Sequence, residues 1–163
     1  MAVLSDSDIL ELLGTGTLKI EGFQERNLTP NGYDVTIDEI AIPSTGEKVR
    51  DGTISVPSGA WFLIGTREYL ELPPHLVGEI WIRTTWARKG ILASFGRIDA
   101  GFHGNLTFSA LNASGSPIAL PIGERFAQVV LSELLSPPKK TYEQRSGNYQ
   151  RQRGITLEPT NSR

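Results

Sequence analysis

The sequence predicts an all-β domain opened by one short helix, and three observations carry that expectation. A helical period is confined to the first residues, short β-branched and aromatic runs recur afterwards between Gly, Pro, Asn and Asp, and several of those runs alternate apolar with polar side chains. The opening helix covers Ser5 to Leu13, with Ser5 as its N-cap and acidic residues in the first turn where the helix dipole favours them. Gly14 and Gly16 stop it. Strands are expected at Asp34 to Ile42, Thr53 to Val56, Trp61 to Arg67, Val77 to Ile82, Asn105 to Asn112 and Phe126 to Leu134. In Glu79 to Arg83 the alternation puts Ile80 and Ile82 on one face and Trp81 on the other, a face that another subunit would cover. From Ser136 the chain turns polar, and its low apolar content predicts an arm or lid rather than a core element.

A chain of 163 residues fits a single domain. The formal charge of -2, from 16 basic and 18 acidic residues, leaves no basic excess for a nucleic-acid face, so an anionic ligand must be met by a few arranged groups. The absence of cysteine excludes disulfides, a cysteine nucleophile and thiolate metal sites. No run is apolar and long enough for a membrane span, and the acidic Met1 to Asp8 segment does not read as a secretory signal. A cytoplasmic location without membrane or nucleic-acid partners is the expectation.

Four polar clusters interrupt the strands: Pro30 to Asp34 (PNGYD), Arg83 to Arg88 (RTTWAR), Arg97 to Asn105 (RIDAGFHGN) and Gly123 to Gln128 (GERFAQ). The second joins two guanidinium groups to two hydroxyls, a set that matches phosphate oxygens but equally suits the salt-bridged face of an edge strand. In the third, Asp99 either orients a water or a sugar hydroxyl, or caps its own turn, while Gly101 and Gly104 allow close backbone approach to a planar ligand. The two histidines, His75 and His103, read as exposed loop residues. No serine has triad partners at recognisable spacing, and no Walker-type loop is present.

Taken in order, the clusters resemble those of the deoxyuridine triphosphatase (dUTPase) and dCTP deaminase superfamily, from Leu4 to about Gly154. GYDV at Gly32 to Val35 is similar to the first triphosphatase motif, RTTWAR to the second with Thr for the usual Ser, RIDAGFHGN to the third and GERFAQ to the fourth. LSDSDI at Leu4 to Ile9 and NYQRQRG at Asn148 to Gly154 resemble the two ends of dCTP deaminases, although Asn148 stands where a lysine is common. The Gly/Ser-rich arm with a base-stacking phenylalanine, usual in triphosphatases, is missing. In the strand after the third motif, deaminases carry a glutamate that handles protons during attack on cytosine C4; Ser109 occupies that position. A hydroxyl of ordinary pKa is no general base near neutral pH.

The resemblance implies a distorted jelly-roll-like β-barrel of the dUTPase-like, β-clip kind, with a barrel at 1–135 and a C-terminal arm at 136–163. It also implies a homotrimer with active sites at subunit interfaces. The activity it favours is Mg²⁺-dependent hydrolysis of dUTP to dUMP and pyrophosphate, with the cation carried by the phosphates and no direct protein ligand. Asp99 would then activate water; Arg83, Thr84, Thr85, Arg88 and Gln128 would bind phosphate, with Asp34 in support. Phe102, Asn105, Ser109, Tyr142, Tyr149 and Gln152 would surround the nucleoside, Phe102 rejecting a ribose hydroxyl. Deamination of dCTP is the alternative, and a non-catalytic deoxynucleotide-binding regulator the second.

Overall fold

The computed structural model describes residues 2–160, so the last three residues of the expected arm lie outside the described residues. Helix α1 (Asp6–Gly14) begins at Ser5, whose hydroxyl accepts from the Asp8 amide while the Asp8 carboxylate accepts from the Ser5 amide, a reciprocal capping box. The strands that follow are β1 (Lys19–Glu21), β2 (Leu28–Thr29), β3 (Gly32–Ile42), β4 (Glu47–Val49), β5 (Thr53–Val56), β6 (Trp61–Thr66) and β7 (Tyr69–Glu71). After them come β8 (Leu76–Ile82), β9 (Ile91–Ser94), β10 (Arg97–Ile98), β11 (His103–Gly104), β12 (Thr107–Asn112), β13 (Ile118–Pro121) and β14 (Arg125–Glu133). Two short helices, α2 (Thr84–Arg88) and α3 (Tyr142–Arg145), complete the described residues.

All six expected strands form, with ends displaced by up to two residues. The main sheet runs β10-β8-β14-β3-β6-β12-β9, its paired neighbours antiparallel, with β2 and β4 added on β3. Strand β3 is central and almost wholly buried, its apolar Tyr33, Val35 and Ile37 alternating with Asp34 and Thr36, which are buried as well. Its register against β6 slips between Ile37 and Glu39, a bulge that bends the strand and helps the sheet curl. The curled sheet encloses Phe62, Phe108 and Phe126, with Trp86 of α2 tilted against Phe126 at a centroid separation of 6.2 Å. Strand β5 shows the period-two logic plainly: Ile54 and Val56 point in, Thr53 and Ser55 out.

Three departures from the sequence expectation have physical causes. Arg83 to Arg88 is neither strand nor open loop: Thr84–Arg88 is one helical turn, pinned where the Trp86 indole donates to the Arg125 carbonyl at 2.8 Å. His75 and His103 are half-buried rather than exposed, and His103 pairs with Glu71 as part of β11. Strands β1, β7, β9 and β13 have three or four residues each, too few to display a period. The polar tail, expected as an arm or lid, lies on the barrel, where its amides and glutamines find fixed acceptors and donors: Gln150 Nε2 donates to the Gly101 carbonyl at 3.0 Å, and the Asn105 amide donates to the Gln152 carbonyl at 3.1 Å.

Candidate functional site

The curl of the sheet leaves a cavity of ≈ 380 Å³ between β6, β12, the β9–β10 segment and the tail. Its floor is apolar, from Leu63, Ile98, Phe102, Leu106 and Phe108. Its rim carries Asp99, Ser109, Tyr142, Tyr149 and Gln152, five of the residues singled out in the sequence. An apolar pocket of this size with a few convergent polar groups suits one small organic ligand.

Asp99 sits on an exposed turn following β10, its carbonyl accepting from the Phe102 amide at 3.0 Å. It is the sole carboxylate lining the cavity among the described residues, and Arg97 is the sole cation. Arg97 is held at 2.6 Å by Glu79 across the β10–β8 pairing, which leaves the Asp99 carboxylate outside that ion pair. The Phe102 ring is buried and meets Tyr142 edge-on, centroids 5.6 Å apart, so the two aromatics form one corner of the pocket. Burial, together with the Asp99 and Tyr149 charges, raises the Tyr142 phenol above its ordinary range against the lowering effect of the hydrogen bond from the Tyr149 amide.

Ser109 has a partner that the sequence did not disclose. The Trp61 indole N–H donates to its hydroxyl at 2.6 Å, because Trp61 faces Leu111 across the β6–β12 pairing and therefore lies diagonal to Ser109. An indole N–H only donates, so one lone pair of Ser109 is occupied and its proton is left for an acceptor in the cavity. Asn105, expected at the nucleoside, does something else: its side-chain amide donates to the carbonyls of Thr66, Arg67 and Glu68 at 3.0, 3.3 and 2.9 Å, clamping the turn between β6 and β7.

The remaining site residues gather elsewhere. Asp34, 4% exposed at its side chain, is paired through Oδ2 with Arg83 at 2.8 Å and with Arg125 at 3.3 Å. Burial raises the Asp34 pKa, and the two guanidinium groups only partly offset it. Gln128 donates to the Thr29 hydroxyl at 2.6 Å, while Thr84, Thr85 and Arg88 are exposed around α2. None of Arg83, Thr84, Thr85, Arg88 and Gln128 lines the cavity beside Asp99. From Glu79, which holds Arg97, to Arg83 is four residues of extended chain, about 13 Å at ~3.3 Å per residue. The structure thus forms two groups, one around the cavity with Asp99 and one around α2 with Arg83, Arg88 and Arg125. Arg125 and Trp61 join them as residues the sequence reading missed; Arg125 lies inside the GERFAQ motif, whereas only cross-strand register reveals Trp61.

Among the described residues no three His, Asp or Glu side chains converge on a common point. Asp99, the one carboxylate among the described residues that line the cavity, would supply only part of the oxygen shell of a hard cation, the rest coming from water or ligand.

Comparison with known proteins places these features in context. Residues 3–134 match the dCTP deaminase-like family. The chain is 42% identical over 134 residues to a dCTP deaminase of Pyrococcus horikoshii, covering 80% of this chain and 83% of that one. It is 35% identical to a probable deoxyuridine 5'-triphosphate nucleotidohydrolase of Sulfolobus islandicus rod-shaped virus 1, covering 95% and 97%. Among solved structures, the 2'-deoxycytidine 5'-triphosphate deaminase of Agrobacterium tumefaciens superposes with a TM-score of 0.69 at 18% identity, over 81% of this chain and 48% of that one. The EIAV dUTPase superposes with a TM-score of 0.55 at 22% identity, over 76% and 93%. The fold is dUTPase-like, as the sequence motifs implied, and the names of the relatives favour deamination over the hydrolysis expected from the sequence.

Proposed function

The chain belongs to the dCTP deaminase-like family, an enzyme family, and on that footing we propose that it acts on a pyrimidine deoxynucleoside triphosphate, hydrolysing dUTP to dUMP and pyrophosphate. One observation carries the choice of reaction: among the described residues the cavity is lined by a single carboxylate, Asp99, while the residue matching the deaminase glutamate is Ser109, already hydrogen-bonded to Trp61.

In this reading the pyrimidine enters the apolar cavity and the Ser109 proton is offered to an acceptor on its edge, a role that suits a uracil carbonyl. Phe102 packs on the sugar and leaves an added ribose hydroxyl without a hydrogen-bond partner. Asp99, on its exposed turn, orients and deprotonates the water that attacks the α-phosphate in line. Mg²⁺, if it enters with the nucleotide, would neutralise charge on the departing pyrophosphate. The phosphates are received by Arg88, Thr84, Thr85, Arg83 and Gln128 of a second subunit, Asp34 holding Arg83 in place. The tail, with Tyr142, Tyr149 and Gln152, excludes bulk water. Exposed Trp81, at 60%, and Leu92, at 61%, offer apolar surface for such an assembly.

Deamination of dCTP is the second reading, and the names of the relatives support it. Incubating purified protein and Mg²⁺ with dUTP and with dCTP in parallel separates the two. Pyrophosphate and dUMP from dUTP, without ammonia from dCTP, is the expected result; ammonia from dCTP with dUTP left intact would reverse the choice.

A further inference from the structure

The tail side of the cavity is seated by a part of the barrel that lies outside the Asp99 rim and the Arg83 cluster. Thr107, Gly65 and Glu39 form a cross-strand row over β12, β6 and β3. Tail residues Gly154, Ile155 and Thr156 cross that row, and each of their three consecutive amides donates to a barrel side chain: Gly154 to Asn105 Oδ1 at 3.4 Å, Ile155 to the Glu39 carboxylate, and Thr156 to Thr107 Oγ1 at 3.1 Å. The Glu39 side chain is 1% exposed, and its other oxygen faces Lys48 at 3.1 Å and Arg50 at 2.9 Å.

Two glycines make room for this contact. A Cβ on Gly65 would stand 2.9 Å from Glu39 Cγ and 3.1 Å from the Ile155 nitrogen, so the absence of a side chain there opens the groove in which tail and carboxylate meet. Gly154 has φ +64, and a Cβ there would stand 2.5 Å from Glu39 Oε1. Thr156, itself one of the seated residues, and Gln152 and Leu157 on either side of them line the cavity.

We propose that Glu39 is a positioning residue: its buried carboxylate fixes the tail at Ile155 and so sets the wall of the cavity formed by Gln152, Thr156 and Leu157. Ion pairs with the half-exposed Lys48 and the largely exposed Arg50 add little by themselves. The hydrogen bond from a main-chain amide to a buried carboxylate is the stronger tie. The effect on turnover rests on the nucleotide reading of the cavity; the seating does not.

The test uses the full chain. In Glu39→Ala, hydrogen exchange at the Ile155 amide and trypsin cleavage after Arg151 and Arg153 should accelerate on the order of tenfold or more, with core amides of Phe62 and Phe126 still protected. Gly154→Ala should do the same from the tail side, and the double variant should be no worse than either single one, since both break one contact. Glu39→Gln retains a carbonyl acceptor and should keep most of the protection. With dUTP as substrate, KM should rise by a larger factor than kcat falls. Unchanged exchange at Ile155 in Glu39→Ala, or equal loss at Phe62 and Phe126 with Gly154→Ala unaffected, would overturn the proposal. Exchange and cleavage decide the seating even if dUTP is not turned over.

Discussion

The Asp99 cavity and the Arg83 cluster sit on the same sheet and are built on opposite principles. Around the cavity, apolar residues supply the volume, and the polar rim keeps capacity for a ligand: Asp99 on an exposed turn, Ser109 with a proton to give. Around Arg83, charge is consumed internally, since buried Asp34 takes both Arg83 and Arg125. Among the described residues the cavity has one cation at its edge, already held by Glu79, and cannot neutralise a triphosphate alone; the cationic residues around α2 do not line it. The difference teaches that either half is chemically incomplete, which is why the proposed site draws its halves from two subunits.

The strongest way to break this comparison is at Asp99. Asp99→Asn removes the proton acceptor and should lower kcat on the order of 10²- to 10⁴-fold, with calorimetric nucleotide binding retained. Turnover at the original rate would remove Asp99 from the chemistry and leave the cavity as a binding site only. A smaller loss is expected at the other half. Arg88→Ala should lower kcat/KM roughly ten- to a hundredfold, from the loss of about 1.5–3 kcal/mol of charge-assisted hydrogen bonding to phosphate. Mixing the two defective proteins after mild dissociation then sharpens the contrast. If the halves come from different subunits, mixed assemblies contain intact sites and the mixture outperforms both parents; activity no higher than the parents' would place both halves within one chain.

Ser109→Glu probes the cavity from within. The carboxylate would still accept from Trp61 and would bring a proton-transfer group to the pyrimidine edge. Ammonia release from dCTP above that of the unaltered protein is the expected gain. A variant that folds, binds dCTP and yields no ammonia would show that more than this one residue separates the two reactions.

The sequence made the barrel legible where strands are long enough to show a period, as in Gly32–Ile42, and where punctuation frames them, as in Thr53–Val56. It did not reveal Ile118–Pro121, whose four residues are defined by pairing with β5 rather than by any pattern of their own. At the cavity, Asp99 drew attention in the sequence because a motif surrounds it, and the structure places it in the lining. Trp61 drew none, because its role depends on register against β12. The seating of the tail was hidden for a related reason: the Glu39 and Asn105 acceptors serve main-chain amides, and an amide leaves no mark in the side-chain sequence.

Acid gives the mildest contrast between the regions, because buried Asp34 and buried Glu39 respond with opposite sign. Asp34 has a folded pKa raised by burial, so the folded state holds its proton more tightly than the unfolded chain does. Its contribution to stability is therefore greatest below the ordinary carboxylate range and is lost as pH climbs through the raised value. For Glu39 burial acts in the same direction, but the Ile155 amide, Lys48 and Arg50 outweigh it and hold the pKa below its ordinary value. Its contribution is fully present above the unfolded value and is lost as pH falls through the lowered one. Exchange at Ile155, normalised to the intrinsic rate at each pH, should thus lose protection at acid pH while Phe126 keeps its own, and Glu39→Gln should abolish that dependence. Protection at Ile155 that is insensitive to acid would mean that the carboxylate charge contributes nothing to holding the tail.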